Sequence, residues 1–71
     1  MQATLVRFGQ NVRSARVAKG WTQEELAYRS GLASVQISRI ERGKREVRIT
    51  TLLRLVKALE VSASELLDGV A

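Results

Sequence analysis

The stretch Thr22–Gly43 reads TQEELAYRSGLASVQISRIERG and has the pattern of two short helices joined by a tight turn. Thr22 and Glu25 form a capping box, in which a hydroxyl and a carboxylate satisfy backbone N–H groups at a helix start. Gly31 follows the first of these helices, at a position where a positive φ ends a helix without steric cost. We therefore predict one helix from Thr22 to just before Gly31 and another over Ser34–Arg42, which stops at Gly43.

The flanking sequence predicts three further helices. Apolar residues recur at three- and four-residue spacing ahead of Gly20, which indicates a first helix ending near that glycine. Residues 43–48, GKREVR, form a basic loop. A leucine stripe predicts a fourth helix over Thr51–Leu59. A second capping box, at Ser62, opens a short fifth helix that ends near Gly69.

Length and composition limit the class of protein. The 71 residues are enough for one domain, and they are 45% hydrophobic but only 4% aromatic. The core is therefore expected to consist of Leu, Val, Ile and Ala, in a compact all-α bundle. There is no cysteine, no apolar run approaches the roughly 18 residues of a membrane span, and no signal-peptide layout is present. We expect a cytoplasmic protein without membrane contacts.

The net charge of +5 is unevenly distributed. Residues 1–20 hold four cations and no acids, whereas residues 47–71 hold three of each. A basic surface on a small domain favours a polyanionic partner. Solubility alone explains such a charge equally well, so the charge does not decide between the two interpretations.

The third helix has two chemically different faces. Ile37, Ile40 and Glu41 share the inward face on a 3.6-residue wheel. The outward face carries Ser34, Val35, Ser38, Arg39 and Arg42. Ser34 is also expected to cap this helix, because the side chain of Ala33 has no acceptor.

Glu41 on the inward face needs a partner, since a buried carboxylate is otherwise costly. Arg16 lies on the apolar stripe of the first helix, beside Val12. We predict an Arg16–Glu41 ion pair between the first and third helices. The alternative is that both side chains extend to water.

The outward face suits the major groove of duplex DNA, where the leading residues of a docked helix meet base edges. Arg39 can donate two hydrogen bonds to a guanine, and Val35 can pack against a thymine methyl. Ser34 and Ser38 can hydrogen-bond to several bases. An ordinary solvated helix face is the alternative, but the glycine turn and the basic flanks favour DNA.

Together these motifs resemble the Cro/cI-type (XRE) helix-turn-helix family, whose members are compact five-helix, lambda-repressor-like DNA-binding domains. The resemblance covers about nine-tenths of the chain and rests on matching residues: Phe8-Gly9, Arg16, Gly20, Thr22–Ala27, Gly31, Ile37–Gly43 and Leu59–Ser62. The sequence departs from the family at three positions. It lacks the usual proline near Val47 and the capping Ser or Thr near Arg48, and it has Glu60 in place of a frequent glycine.

The resemblance implies roles for individual residues. Ser34, Val35, Ser38 and Arg39 match base-reading positions. Gln23, Arg42, Lys44 and Arg45 match DNA-backbone positions, with Gln23 also bracing the recognition helix. Arg16 and Glu41 match a recurrent internal ion pair. Glu24 matches a position through which some activators touch RNA polymerase, although a glutamate there more often complements the helix dipole.

The leucine-rich C-terminal third is interpreted as a dimerisation surface. One domain over 1–71 is expected, with the helix-turn-helix at about 22–43 and dimerisation helices at about 51–68. Leu59, Leu66, Leu67 and Val70 supply more apolar surface than a short terminal helix is expected to bury. The alternative is that these four residues complete the core of the monomer.

These observations predict a sequence-specific regulator that binds a pseudo-palindromic double-stranded DNA operator as a homodimer. It is similar to stand-alone restriction–modification controller proteins or small repressors and is expected to regulate its own gene. The second hypothesis is an antitoxin-like protein-interaction module with secondary DNA binding, favoured by the neutral C-terminal third. An enzyme is disfavoured because the chain has no His and no Cys. No cofactor and no metal are expected.

Overall fold

The computed structural model describes residues 3–70, which form an all-α domain of five helices without a strand. The predicted fold class is thereby confirmed. None of the helices in this part of the chain is long and apolar enough to cross a membrane. The helices are α1 (Ala3–Ala18), α2 (Gln23–Ser30), α3 (Ser34–Glu41), α4 (Ile49–Leu59) and α5 (Ala63–Leu66).

Aliphatic side chains and one phenylalanine from all five helices fill a single core. Helices α1, α3 and α4 each contribute two core residues at the three- or four-residue spacing that places them on one face, whereas α2 contributes two adjacent residues and α5 contributes one. Leu26, Ile37 and Leu55 are completely inaccessible to solvent. The core consists of Phe8, Val12, Leu26, Ala27, Ile37, Ile40, Leu55, Leu59 and Leu66.

The turn between α2 and α3 has the geometry that the sequence predicts. The Thr22 hydroxyl accepts a hydrogen bond from the Glu25 N–H at 3.1 Å, and Gly31 ends α2 with φ 74°. The capping box is only half formed, however. The Glu25 carboxylate instead accepts a hydrogen bond from Nε of Arg29 at 2.6 Å, one turn along the same helix.

Helix α3 is capped differently from the prediction. Ser34 is the first residue of α3 and not its cap; Ala33 occupies the cap position in an extended conformation. The carboxamide oxygen of Gln36 accepts the Ala33 N–H at 3.1 Å. A glutamine three residues into a helix can satisfy the cap backbone even where the cap side chain cannot reciprocate.

Two other predicted boundaries were wrong. Helix α4 begins at Ile49, two residues before the predicted Thr51, with Arg48 as a cap that makes no side-chain hydrogen bond. Helix α5 ends at Leu66, and the chain continues as a turn to Gly69. Both differences arise where no strong cap or stop residue marks the end of the helix in the sequence.

Close backbone contact between α1 and α3 holds the second helix of the motif against the body of the domain. A Cβ atom on Gly9 would clash with the carbonyl oxygen of Ile40 and lie 2.7 Å from that of Glu41. Glycine at this position therefore allows α1 to cross the end of α3 at backbone distance. The face of α3 opposite this crossing is left free.

Candidate DNA interface

The outward face of α3 is accessible along its whole length. Ser34, Val35 and Arg39 are exposed, Val35 by 52%, and Ser38 is half-buried. The opposite face carries Ile37 and Ile40 in the core. The structure therefore presents the four predicted base-reading side chains on one accessible helix face, as the wheel predicts.

Arg39 and Arg42 differ in how far they are engaged within the domain. In the described range 3–70, the Arg39 guanidinium makes no hydrogen bond or ion pair. Arg42 donates from Nε to the Ser38 carbonyl at 3.3 Å, and this bond does not use its terminal nitrogens. An arginine without an internal partner keeps its full set of donors for a ligand.

Four cations line one shallow depression beside α3. Arg39 and Arg42, together with Lys44 and Arg45 of the following loop, line a volume of about 420 Å³. No carboxylate lines this depression. Like charges placed this close together repel one another unless an anion lies between them, so the depression is suited to a polyanion such as the phosphate backbone.

A buried polar cluster fixes the end of α3. Arg16 Nε donates to Oε2 of Glu41 at 2.6 Å, and Arg16 Nη2 donates to Oε1 at 3.0 Å. The predicted ion pair is therefore present, and it is bidentate. Its hydrogen bond to Glu41 raises the pKa of Arg16, although burial acts in the opposite direction.

Gln23 joins this cluster from the first residue of α2. Its carboxamide nitrogen donates to Oε1 of Glu41 at 3.1 Å, so one carboxylate links α1, α2 and α3. The second N–H of the carboxamide is not used in that bond. Gln23 thus connects the start of α2 to the end of α3, and one N–H of its carboxamide stays available for a further acceptor.

Two residues near the interface were not assigned a role from the sequence. Arg48, at the cap of α4, lies beside Arg45 around a second polar depression. Gln36 lines the same depression. A glutamine at the third position of α3 was the signal in the sequence that Gln36 caps this helix. No comparable signal marked Arg48, because its position depends on where α4 begins.

The predicted dimerisation residues divide into two groups, and half of that assignment was wrong. Leu59 is 0% and Leu66 is 1% exposed, because both pack into the core of their own chain. They cannot contact a second copy. Leu67, by contrast, is 42% exposed, and Val70 is half-buried.

Leu67 and Val70 belong to an apolar face that includes residues absent from the prediction. Ile49 is 69% and Leu53 is 56% exposed on α4. We call Leu5, Ile49, Leu52, Leu53, Leu67 and Val70 the α4–C-terminal face. Its centre is a depression of about 180 Å³, lined by five of these residues. Apolar residues cover a wider arc of α4 than the stripe that the helix buries in the core. This excess was the signal in the sequence for an exposed apolar face.

Sequence comparison relates this chain to known regulators. The helix-turn-helix family model matches residues 12–66. Control protein C.BamHI of Bacillus amyloliquefaciens is 44% identical over 62 residues, covering 86% of this chain and 76% of that protein. A hypothetical transcription factor of Neisseria meningitidis is 40% identical over 57 residues, covering 80% of this chain but only 54% of that protein.

Structural comparison leads to the same group of proteins. The restriction-modification controller protein C.AhdI from Aeromonas hydrophila superposes with a TM-score of 0.89 at 45% identity, covering 92% of this chain and 98% of that one. The controller protein C.Esp1396I, solved as a tetramer in complex with its natural 35 base-pair operator, gives a TM-score of 0.87 at 36% identity. That match covers 99% of this chain and 92% of the other.

Proposed function

Because this chain belongs to the Cro/cI-type helix-turn-helix family of sequence-specific DNA-binding transcriptional regulators, we propose that it acts as a restriction–modification controller type of regulator. It binds a two-fold related operator as a homodimer and regulates transcription, including that of its own gene. The observation that carries this proposal is the accessible face of α3, which has an unengaged Arg39 and lies beside a depression lined by four cations.

Base reading is assigned to the outward face of α3. Arg39 donates to O6 and N7 of a guanine, and Val35 contacts a thymine methyl group. Ser34 and Ser38 donate to or accept from neighbouring base edges. Because Ser34 and Val35 lie in the first turn of α3, this end of the helix points into the groove.

Backbone contacts are assigned to the residues that surround this face. Arg42, Lys44 and Arg45 neutralise phosphates around the cationic depression, and Gln23 donates its free N–H from the start of α2. Phosphate contacts position the protein without reading sequence. They make affinity fall as salt rises, because bound phosphates release counterions.

The homodimer is proposed to form through the α4–C-terminal face. Three large apolar residues of this face, Ile49, Leu53 and Leu67, are exposed by 69%, 56% and 42%. A contiguous exposed apolar surface on a small protein commonly marks an interface. Two copies related by a two-fold axis present two recognition helices to successive half-sites on one side of the duplex. The tetramer of C.Esp1396I on its operator agrees with self-association in this family.

A contact between Glu24 and RNA polymerase is a secondary part of the proposal. Its carboxylate is exposed in the first turn of α2, where it also complements the helix dipole. A Glu24→Gln protein that still occupies its operator but no longer activates transcription would support the contact. Unchanged activation would show that the charge serves the helix alone.

The proposal is tested by selecting bound sequences from a random duplex pool. We expect a two-fold symmetric site whose half-sites lie about 10 bp apart. Arg39→Ala should remove about 1–3 kcal/mol of discrimination at one base pair of each half-site. Arg42→Ala should instead weaken binding to all sequences alike and reduce the salt slope by about one. Fluorescence anisotropy at several salt concentrations measures both effects.

Lys57→Ala is the matched control, because it removes an exposed cation from the last turn of α4, away from the depression. It should leave discrimination and salt slope nearly unchanged. An Arg39→Ala protein with the full sequence preference of the parent chain would show that α3 is not the reading helix.

A further inference from the structure

The turn that follows α5 is held in place by polar side chains of α1. Helix α5 has only four residues, and Leu66 is its one core residue. After Leu66, the chain through Gly69 is exposed, so little apolar burial holds this turn. A helix this short is not stable without tertiary contacts.

Asn11 supplies two of those contacts. Its carboxamide nitrogen donates to the carbonyl oxygens of Leu66 and Asp68, both at 2.8 Å. Carbonyls at a helix C-terminus have no partner within the helix, so a side chain that reaches them fixes the path of the chain. Both protons of the Asn11 carboxamide are used in this way.

Arg7, one turn earlier on α1, holds the same segment. Its Nε donates to the Asp68 carbonyl at 3.1 Å, and its Nη2 lies 3.4 Å from the Asp68 carboxylate. A Cβ on Gly69 would lie 2.8 Å from Nε of Arg7, and Gly69 has φ 71°. The guanidinium therefore packs directly on the Gly69 backbone.

The residues carried by this turn complete the α4–C-terminal face. Leu67 and Val70 lie on either side of Asp68 and Gly69 and line the apolar depression with Leu5 and Ile49. The turn is closed by a hydrogen bond from the Val70 N–H to the Leu67 carbonyl at 3.0 Å. If the turn moved away from α1, the face would lose Leu67 and Val70 while the core kept Leu66.

We propose that Arg7 and Asn11 are positioning residues for self-association, because they clamp the Leu66–Val70 turn to α1 and so complete the surface that a second copy covers. This inference rests on the homodimer proposed above. Helix α1 also crosses the end of α3 at Gly9 and binds Glu41 through Arg16. The clamp therefore fixes the self-association face relative to the recognition helix as well.

The test compares dimer dissociation constants by sedimentation equilibrium in the absence of DNA. Asn11→Ala removes the donors but keeps a good helix former in α1. We expect its dissociation constant to rise about tenfold, because two hydrogen bonds to the turn are lost. Gln10→Ala, at the neighbouring exposed position of α1, is the matched control and should dimerise like the parent chain.

A double-mutant cycle separates positioning from general destabilisation. Leu67→Ala weakens the dimer directly. If Asn11 acts by placing Leu67, the dissociation constant of Asn11→Ala/Leu67→Ala should rise by less than the product of the two single effects. Effects that multiply fully would overturn the inference, because Asn11 would then act independently of the turn.

Arg7→Met provides a second variant at an exposed site, in case Asn11→Ala proves unfolded by circular dichroism. It keeps the aliphatic stem and loses the donors, and we expect about a threefold weaker dimer. If the parent chain dimerises and both variants fold and dimerise equally well, this inference alone is overturned. A parent chain that stays monomeric at all concentrations would overturn the proposed homodimer and this inference together.

Discussion

Glu41 lies at the end of α3, beside the candidate DNA interface, and its carboxylate joins this helix to α1 and α2. Its side chain is 3% exposed, and that of Arg16 is 11% exposed. The same carboxylate accepts from Gln23 at the start of α2. A charge at this depth is tolerated only because three donors surround it.

Removal of Glu41 should therefore destabilise the domain strongly. We expect Glu41→Ala to lower the free energy of unfolding by about 3–5 kcal/mol, because the buried Arg16 loses its counter-ion. Urea unfolding monitored by circular dichroism measures the loss. The double variant Arg16→Met/Glu41→Leu should lose less, since no unpaired charge remains. An equal or larger loss in the double variant would contradict this explanation.

Glu60 adopts a backbone conformation that is unusual for any residue other than glycine. It ends α4 with φ 58°, the left-handed conformation that glycine adopts most easily. This explains the glycine that the family often has there. Its carboxylate accepts a hydrogen bond from Lys19 Nζ at 2.6 Å, and this bond lowers the pKa of Glu60 below its ordinary value.

The lowered pKa of Glu60 predicts the sign of a pH effect. Since the folded-state pKa lies below the unfolded one, the stabilisation is complete above the unfolded value and is lost as the pH falls through the folded value. The difference in free energy of unfolding between the parent chain and Glu60→Gln should therefore shrink as the pH falls from about 5 towards 3. Urea unfolding at each pH measures it. A difference that stays constant over this range would contradict the assignment.

At the scale of helices, α4 begins without a side-chain cap. Arg48 occupies the cap position and makes no side-chain hydrogen bond, so backbone donors of the first turn lack a side-chain acceptor. The same residue adds a cation near Arg45. In the proposed DNA complex, capping of α4 and attraction of phosphates would thus favour different residues at position 48.

Two substitutions at this position should separate these contributions. Arg48→Ser and Arg48→Ala both remove the charge, and both should weaken DNA binding to a similar extent. Only serine can accept a hydrogen bond from the helix, so Arg48→Ser should exceed Arg48→Ala in stability by about 1 kcal/mol. Thermal unfolding and DNA titration measure the two effects. Equal stability of the two variants would show that α4 needs no cap.

At the scale of the whole molecule, two surfaces of different chemistry are carried by one small core. The first is the cationic depression with the outward face of α3, and the second is the α4–C-terminal face. Helix α1 contacts both, through Glu41 at one end of α3 and through the turn after α5. In the proposed dimer, affinity for the operator depends on the two surfaces acting together.

A charge on the apolar face should therefore affect DNA binding without changing any residue assigned to a DNA contact. We expect Leu53→Glu to fold as a monomer, because Leu53 is already 56% exposed, and to dimerise poorly because a carboxylate would be buried in an apolar interface. Its affinity for a two-half-site operator should fall at least about a hundredfold, since paired half-sites are no longer bound together. Sedimentation and anisotropy measure both effects, with Leu53→Ala as the milder control.

Unchanged operator affinity in a monomeric Leu53→Glu protein would indicate that each chain binds independently. A Leu53→Glu protein that remained dimeric would place the interface elsewhere on the surface. The first outcome contradicts the coupling of dimerisation to DNA binding, and the second contradicts the proposed location of the interface.

Local sequence patterns were sufficient for the five-helix class, the turn at Gly31, the outward face of α3 and the Arg16–Glu41 pair. These features depend on helical periodicity, on left-handed glycine and on the cost of an unpaired buried charge, all of which are readable along the chain. The assigned roles of the base-reading and phosphate-contacting residues remain predictions.

Folding in three dimensions settled the features that depend on which distant surfaces meet. Leu59 and Leu66 are leucines of the C-terminal third, as are Leu53 and Leu67, yet the first pair is buried and the second exposed. The difference arises because the other helices pack against one side of the apolar arc of α4 and leave its other side uncovered. The Arg7–Asn11 clamp likewise joins residues more than fifty positions apart, a proximity that no local periodicity encodes.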